Sequence, residues 1–418
     1  MKNIALLTFL LLMIPQISIS QILPLRRDRN DDDTAEFDTD SSIEDAVEEK
    51  GLKISADFRP IFDYFDLGER DGSTDDEVRL GGRLRIRGNW GITENFHFVS
   101  RIAGTCFTND CDLEFVFENS TPANNGLAGG QFTFDELFLH WFHKNKFDIA
   151  VGRLQTRFVL RGGVFSKSLD RNNSNNVNVN WTDGIQTTYT TSKGWVSSFI
   201  LQRNDDDGTG SITHRPLDFD DSMAHNTFFL GFENIRSWGP IVQRSFDISY
   251  LPSSLLKDGI PNVRRVDYWG LVGRLALRWP QRSAGPRLRA GVEIGYAPET
   301  QTKVSGGLGS SGNADGFALD MVVSIMDFLP DHSIGIDYAR TGAGWLLSPQ
   351  FRPNEELFEI RYQWRPRRMR LWRTKRSPLL EARVRWREDL EQPVGTIQKR
   401  KEFDFYIRLT WEFIIKDF

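Results

Sequence analysis

Long apolar runs are missing from this sequence beyond its first twenty residues. Of the 418 residues, 39% are hydrophobic, and the mean hydropathy is -0.41. A bundle of transmembrane helices is therefore excluded, because each helix needs about 20 consecutive, mostly apolar residues. A membrane β-barrel is not excluded. Only alternate residues of its strands face lipid, so its average hydropathy stays low.

Cysteine is scarce, and positive charge is not in excess. The sequence has two cysteines, Cys106 and Cys111, and their spacing allows a disulfide across a loop in an oxidising compartment. A metal site is less favoured, because two ligands do not complete a tetrahedral set. With 52 Lys+Arg against 57 Asp+Glu, the net charge of -5 argues against a nucleic-acid-binding protein.

The first fifty residues differ in composition from the rest. Lys2, the apolar stretch Ile4–Ile14 and the small residues at Ser18–Ser20 predict a cleavable signal peptide over residues 1–20. The alternative is an N-terminal core element. Residues 21–50 hold four basic and eleven acidic groups, a net charge of -7, and predict a disordered acidic tail. A calcium site in the aspartate run of this tail is less favoured, because the spacing of a calcium loop is absent.

From residue 51 onward, apolar and polar residues alternate with a period of two. In VRLGGRLRIRGNW (78–90), one face carries four apolar side chains and the other carries Arg79, Arg83, Arg85 and Arg87. The same period recurs over 286–297, 379–388 and 402–415. Each segment has about the ten residues that a tilted strand needs to cross a bilayer.

The alternation predicts an all-β fold: one transmembrane antiparallel β-barrel over residues 51–418, with about 16 strands and a range of 14–18. The predicted strands are 51–62, 78–90, 95–105, 132–143, 146–154, 183–191, 194–203, 225–234, 240–251, 265–279, 286–297, 315–327, 332–340, 356–365, 379–388 and 402–415. Short and long connections alternate between them, as the periplasmic turns and outer loops of bacterial barrels do. The basic connection 365–376 is an exception, because it is long where a short turn is due.

The arginine-bearing faces must line the interior of this barrel. An arginine on the lipid side costs about 2–4 kcal/mol near the bilayer centre. Tryptophans near the segment ends, such as Trp90, Trp238 and Trp411, suit the membrane interfaces. A soluble β-sandwich is the alternative, and the export signal and the loop alternation favour the barrel. The predicted pore-lining residues are Arg79, Arg83, Arg85, Arg87, Arg287, Arg289, Glu293, Arg361, Arg383, Arg385, Arg387 and Arg408.

The stretch from Val78 to Asn204 resembles Gram-negative outer-membrane porins, including the alginate-selective and phosphate-selective-like families. The resemblance rests on a strand with Asp135, a following strand with Gly152-Arg153, and an Asp183-Gly184 step that opens the next strand. The terminal Phe418 resembles the C-terminal aromatic residue recognised by the barrel-assembly machinery, although it is out of phase with the apolar residues of the last strand.

The resemblance implies a porin of the cell outer membrane, in contact with lipid and lipopolysaccharide, that passes small hydrophilic solutes and assembles as a homotrimer. It also implies that the loop between 155 and 182 folds into the lumen. Asp170, Arg171, Asn172 and Asn173 would then lie at the constriction. The alternative is an ordinary exposed loop.

The predicted lining has more cations than anions, which predicts a mild preference for anions. The competing interpretation is that wall arginines and carboxylates pair across strands and stabilise the barrel. Two other hypotheses stay open: a structural or adhesive barrel whose lumen is blocked, for example by the tail 21–50, and an outer-membrane hydrolase that uses His140 or His225.

Motifs for enzymatic chemistry are weak, and we predict no catalytic residue, cofactor or metal. Gly307–Gly312 matches a dinucleotide-binding fingerprint in letters, but no βαβ unit surrounds it. His140 and His143 are three residues apart, which places them on opposite faces of a strand and prevents them from sharing a metal ion.

Overall fold

The structure is a computed structural model that describes most of the chain from residue 51. The described residues are 51–108, 110–117, 127, 129–143, 146–170, 181–204, 217, 225–258, 265–280, 285–348, 350–366 and 377–417. They contain no helix that is long and apolar enough to cross a membrane. The predicted signal peptide and acidic tail, residues 1–20 and 21–50, lie outside this set.

Sixteen of the seventeen strands form a closed antiparallel barrel. Each barrel strand pairs with the next along the chain, and β17 pairs with β1 to close the sheet. The short strand β4 is the extra one and pairs in parallel with β5. The strands are β1 (Gly51–Gly68), β2 (Thr74–Thr93), β3 (Phe96–Phe107), β4 (Glu114–Phe115), β5 (Gln131–His143), β6 (Phe147–Leu154), β7 (Thr182–Thr190), β8 (Trp195–Arg203), β9 (Asn226–Asn234), β10 (Ile241–Leu256), β11 (Arg265–Trp279), β12 (Arg287–Tyr296), β13 (Phe317–Leu329), β14 (His332–Thr341), β15 (Glu355–Trp364), β16 (Leu379–Asp389) and β17 (Lys401–Asp417).

The predicted fold class is confirmed, and each of the sixteen predicted strands overlaps one barrel strand. The connections also follow the predicted alternation. Residues 94–95 and 330–331 form short turns at one end, whereas 155–181 and 342–354 are long connections at the other. The connection between β15 and β16 is long at the short-turn end, as the sequence indicated.

The first connection is shorter than predicted. The sequence pattern ended the first strand at 62 and began the second at 78, but β1 and β2 stay paired as far as Gly68 and Thr74. The prediction was wrong here because it followed the apolar residues alone. The additional residue pairs include Asp66 opposite Asp76. Such polar residues can extend the two strands because backbone hydrogen bonds do not require apolar side chains.

The connection between the predicted strands 95–105 and 132–143 contains the short strand β4. A disulfide links Cys106 to Cys111, with Cα atoms 4.5 Å apart, and turns the chain back after β3. The Val116 N–H then donates to the Phe132 carbonyl at 3.0 Å. Strand β4 therefore extends the wall along the part of β5 that lies beyond the end of β6.

Apolar side chains cover the outer face of the barrel. On β2, Val78, Leu80, Leu84 and Ile86 are 53, 54, 48 and 44% exposed, whereas the alternate Arg83 and Arg85 are 0 and 1% exposed. The period of two thus separates a face for an apolar surrounding from a charged inner face, as a transmembrane barrel requires.

Strand β5 breaks this period at one β-bulge. Arg101 of β3 pairs with Glu136, but the next residue, Ile102, pairs with Phe134, so Asp135 is the extra residue. Both Asp135 and Glu136 are fully buried on the inner face. The bulge therefore lets one strand present two consecutive carboxylates to the lumen.

Candidate functional site

The lumen is the candidate site, because its wall collects most of the buried charge. All twelve residues predicted to line the pore lie on the face opposite the exposed apolar side chains. Many of these arginines contact a carboxylate. Arg79 lies 2.6 Å from Asp63, and Arg83 lies 2.9 Å from Asp57.

One side of the lumen is rich in arginine. We call it the arginine wall and define it as Arg83, Arg85 and Arg87 of β2, Arg101 of β3, Arg383, Arg385 and Arg387 of β16, and Arg408 of β17. On β16 and β17, Arg383 and Arg385 share Asp404. Arg408 lies 3.0 Å from Glu381.

The bulge on β5 supplies the counter-charges for the other end of the arginine wall. Asp135 accepts two hydrogen bonds from Arg101, at 2.9 and 2.8 Å, and lies 3.1 Å from Arg85. Glu136 lies 3.2 Å from Arg87 and 3.0 Å from Arg101. Three arginines on two strands therefore share two carboxylates on a third, which leaves one positive charge in excess in this cluster.

The opposite side of the lumen carries five carboxylates, of which the sequence analysis predicted only Glu293 as pore-lining. We call them the acidic row: Asp247 of β10, Glu293 of β12, Asp320 of β13, Asp337 of β14 and Glu359 of β15, all at most 1% exposed. The sequence signal is weak because each strand supplies only one of them. The register brings them together, since Glu293 pairs with Asp320 and Asp337 pairs with Glu359.

Two wall cations contact the acidic row: Arg361 of β15, which lies 2.5 Å from Glu359, and Arg274 of β11. The Arg274 guanidinium contacts Asp247, lies 2.7 Å from Glu293, and lies 2.5 Å from Asp170 of the long connection after β6. Neither Arg274 nor its role was predicted. The acidic row adds four carboxylates that the predicted lining lacked, against this one added wall cation, so the charge balance of the lumen is closer to neutral than the predicted lining suggested.

The connection after β6 folds into the lumen over its described part, residues 155–170. Lys167 forms ion pairs with Asp337 and with Glu359, the latter at 2.8 Å. Asp170, predicted at the constriction, is 3% exposed and is held by Arg274. The other three predicted constriction residues, Arg171, Asn172 and Asn173, lie outside the described residues.

A second connection, 342–354, packs against the first. The Trp345 indole N–H donates to the Leu169 carbonyl at 2.9 Å, and Tyr268 of β11 donates to the Gly344 carbonyl at 2.9 Å. Leu346, Leu347 and other apolar side chains fill the space between these connections and the wall. We call residues 155–170 and 342–354 the lumen loops.

The motif that carried the porin resemblance forms the base of the first lumen loop. Arg153 donates two hydrogen bonds to Asp183, at 2.7 and 2.9 Å, and its guanidinium lies over the rings of Phe117 and Trp181 at 4.1 and 4.7 Å. Gly152 has φ 134°, and a Cβ there would lie 2.3 Å from the Leu137 carbonyl oxygen. The motif therefore fixes both ends of the loop.

A small cavity of about 30 Å³ opens where the connections meet β15–β17. Its lining includes four arginines and four carboxylates. Arg70 donates to Asp389 at 2.7 and 2.8 Å, and this hydrogen bonding raises the pKa of Arg70. Burial, with the neighbouring Arg352, lowers the pKa of Arg400. The cavity is lined by Arg70, Arg352, Pro353, Glu355, Arg387, Glu388, Asp389, Arg400 and Glu402.

Comparison with solved structures finds the same architecture in outer-membrane porins. OprB of Pseudomonas putida is 10% identical and has a TM-score of 0.54, over 87% of this chain and 94% of OprB. The chain has the fold of these porins. OccAB2 of Acinetobacter baumannii is also 10% identical, with a TM-score of 0.50 over 87% of this chain and 98% of its own.

This comparison shows that the chain has the porin fold and nothing further, because a sequence identity of 10% is evidence for the fold alone. No protein-family model matches the sequence. No curated protein matches it either.

Proposed function

We propose that this chain is an outer-membrane porin, a channel for the passive diffusion of small hydrophilic solutes. The observation that carries the proposal is the closed sixteen-stranded barrel with an apolar outer face and a charged inner face. The apolar outer face is stable when hydrocarbon surrounds the barrel. The charged inner face is stable when water can enter the lumen.

Planar-bilayer recording of the full chain tests this function. Discrete, voltage-independent current steps are expected from protein whose electrophoretic mobility shifts on heating, which reports a folded barrel. Silence from folded protein would contradict the channel function. The matched control is the same preparation after heat denaturation.

We place the permeation path along the arginine wall. The lumen loops cover the acidic row, whereas the side chains of Arg87 and Arg385 in the arginine wall keep 13 and 14% of their surface exposed, and that of Arg79, beside the wall on β2, keeps 33%. A path next to guanidinium groups supports a mild preference for anions. The carboxylates that pair with these arginines reduce that preference, so it depends on the cations nearest to the water.

An occluded barrel with a structural role is the second candidate. The observation in its favour is the depth to which the lumen loops are anchored, since Leu169, Leu346 and Trp345 are at most 1% exposed. Deletion of residues 157–168 distinguishes the two functions. A blocked barrel should begin to conduct, whereas a porin should change from a small to a larger conductance.

We propose that the chain is not an enzyme. From the resemblance to porins we also infer that it lies in the outer membrane, that the segment 1–20 directs its export, and that it assembles as a trimer. The hydrolase hypothesis would use His140 or His225, and His140 does not have the environment of a catalytic base. Its Nδ1 is buried and has no hydrogen-bond partner, so no hydroxyl is activated there.

A further inference from the structure

Two buried histidines face each other near the short-turn end of the lumen. His97 of β3 pairs directly with His140 of β5, and their ring centroids are 6.5 Å apart. They are 1 and 0% exposed on the inner face, and Phe142 packs against both rings at 5.5 and 5.4 Å. The porin function proposed above does not use this pair.

Acceptors fix the protonation of one nitrogen on each ring. The Asn89 side-chain oxygen lies 3.2 Å from His97 Nδ1, and the Asp148 carboxylate lies 2.6 Å from His140 Nε2. An amide oxygen and a carboxylate can only accept, so both of these ring nitrogens carry a hydrogen. The lone pairs then lie on His97 Nε2 and His140 Nδ1.

Those two lone-pair nitrogens are the atoms without partners. Both are buried, and no hydrogen-bond donor contacts either of them. A buried acceptor that lacks a donor costs about 1–3 kcal/mol, so the arrangement calls for an explanation. Histidines whose second nitrogen donates to a carboxylate or an amide oxygen are typical of metal ligands, because the outer hydrogen bond orients the ring.

We propose that His97 and His140 bind one divalent transition-metal ion of the class that prefers imidazole, such as Cu²⁺ or Zn²⁺. With the two imidazoles on opposite sides of the ion, as in tetragonal coordination of Cu²⁺, two metal–nitrogen bonds of about 2.0–2.1 Å each and the two ring radii add up to roughly the centroid separation. Across the described residues, no three His, Cys, Asp or Glu side chains are arranged to hold a metal. The protein therefore supplies two imidazoles, and water completes the coordination.

Metal titration of the purified full chain tests the site. We expect one equivalent of Cu²⁺ to bind, with an electron paramagnetic resonance spectrum that shows coupling to two imidazole nitrogens. His97→Gln and His140→Gln should each weaken Cu²⁺ binding at least tenfold, and Zn²⁺ should compete with Cu²⁺. Asp148→Asn should weaken binding by about 10–100-fold without removing a ligand.

His143→Gln is the matched control, since His143 lies on the same strand with its side chain exposed on the outer face. Its affinity for Cu²⁺ should equal that of the unmodified chain. The heat-modifiable mobility shift shows whether each variant is folded, and Asp148→Asn tests the site with both imidazoles in place. If only water occupies the site, the titration will show no stoichiometric Cu²⁺ binding, and this result would overturn the proposal. Equal losses in His143→Gln and His140→Gln would overturn it as well. These measurements do not depend on conductance. The metal-site proposal can therefore be wrong while the porin function is right, and the porin function can be wrong while the metal site is right.

Discussion

The two sides of the lumen carry opposite charge and neutralise it in different ways. Along the arginine wall, each guanidinium meets carboxylates that mostly lie on nearby strands, as Arg383 and Arg385 meet Asp404. Along the acidic row, Arg274 and Arg361 belong to the barrel, but the cation that contacts Asp337 is Lys167, which comes from a loop 170 residues away in sequence. Charge pairing on the first side needs only the barrel, whereas on the second side it needs the folded loop as well.

This difference indicates which side can change without loss of the barrel. A side that is neutralised by its own strands stays intact when a loop moves. A side that is neutralised by a loop loses its counter-charge whenever that loop leaves, and buried carboxylates without partners are strongly unfavourable. We therefore expect the lumen loops to be firmly held, and substitutions at their contacts to have larger effects than substitutions on the arginine wall.

Lys167→Met should have the largest effect. It leaves Asp337 and Glu359 without the loop cation, and breaking a buried ion pair from one side costs about 3–5 kcal/mol. The loop 155–170 should detach, so conductance should rise and chymotrypsin should cleave after Phe165. Lys257→Met is the control, because its pair with Glu299 is exposed and is worth at most about 1 kcal/mol. An unchanged conductance and an intact loop in Lys167→Met would remove the distinction between the two sides.

Charge removal on the arginine wall should change ion selectivity. The double variant Arg385→Gln/Arg387→Gln takes two cations from the proposed path, so the reversal potential in a salt gradient should shift toward cations. Arg287→Gln/Arg289→Gln removes the same charge from the side covered by the lumen loops. This control should shift the potential less. Equal shifts in the two double variants would show that solutes pass along both sides.

A smaller effect is expected at the apolar contact of the second lumen loop. In Gly270→Ala, the new Cβ would lie 2.2 Å from a Leu347 methyl carbon, and overpacking of this kind costs about 1–3 kcal/mol. The temperature of the mobility shift should fall. Gly273→Ala on the same strand meets nothing within 4 Å and should leave it unchanged. A fall of the same size in both variants would mean that strand propensity, and not the loop, is responsible.

The smallest effect is expected at the outer rim. Arg70→Met removes the hydrogen bonds to Asp389, but the Arg70 side chain is 41% exposed, so the loss should be at most about 1 kcal/mol. Conductance should stay the same and the temperature of the mobility shift should fall slightly. A large change in conductance would indicate that the cavity around Arg70 is part of the permeation path.

The sequence was sufficient to predict the barrel because alternation is a local property. A single strand such as 78–90 already shows four arginines on one face, and the cost of arginine in lipid assigns that face to the lumen. Sixteen such segments with alternating connections determine the topology without any knowledge of side-chain contacts.

The acidic row could not be predicted in the same way. Asp320 and Asp337 are each flanked by apolar residues, and only the register shows that they are neighbours of Glu293 and Glu359. The partner of Asp170 was missed for the same reason, since Arg274 lies 104 residues further along the chain. Contacts between a loop and a distant wall have no period in the sequence.

The bulge at Asp135 changes how insertions and deletions should act on β5. Inward residues are odd-numbered before the bulge, as at Thr133, and even-numbered after it, as at Phe138. Deleting one residue at the bulge would restore a regular ladder and keep both ends of the strand in phase with their neighbours. A one-residue deletion between the bulge and Leu139 would instead turn Leu139 and Trp141 from the hydrocarbon side to the lumen. This strand therefore has one position at which its length can vary by a single residue, and homologues that differ in length here should otherwise superimpose.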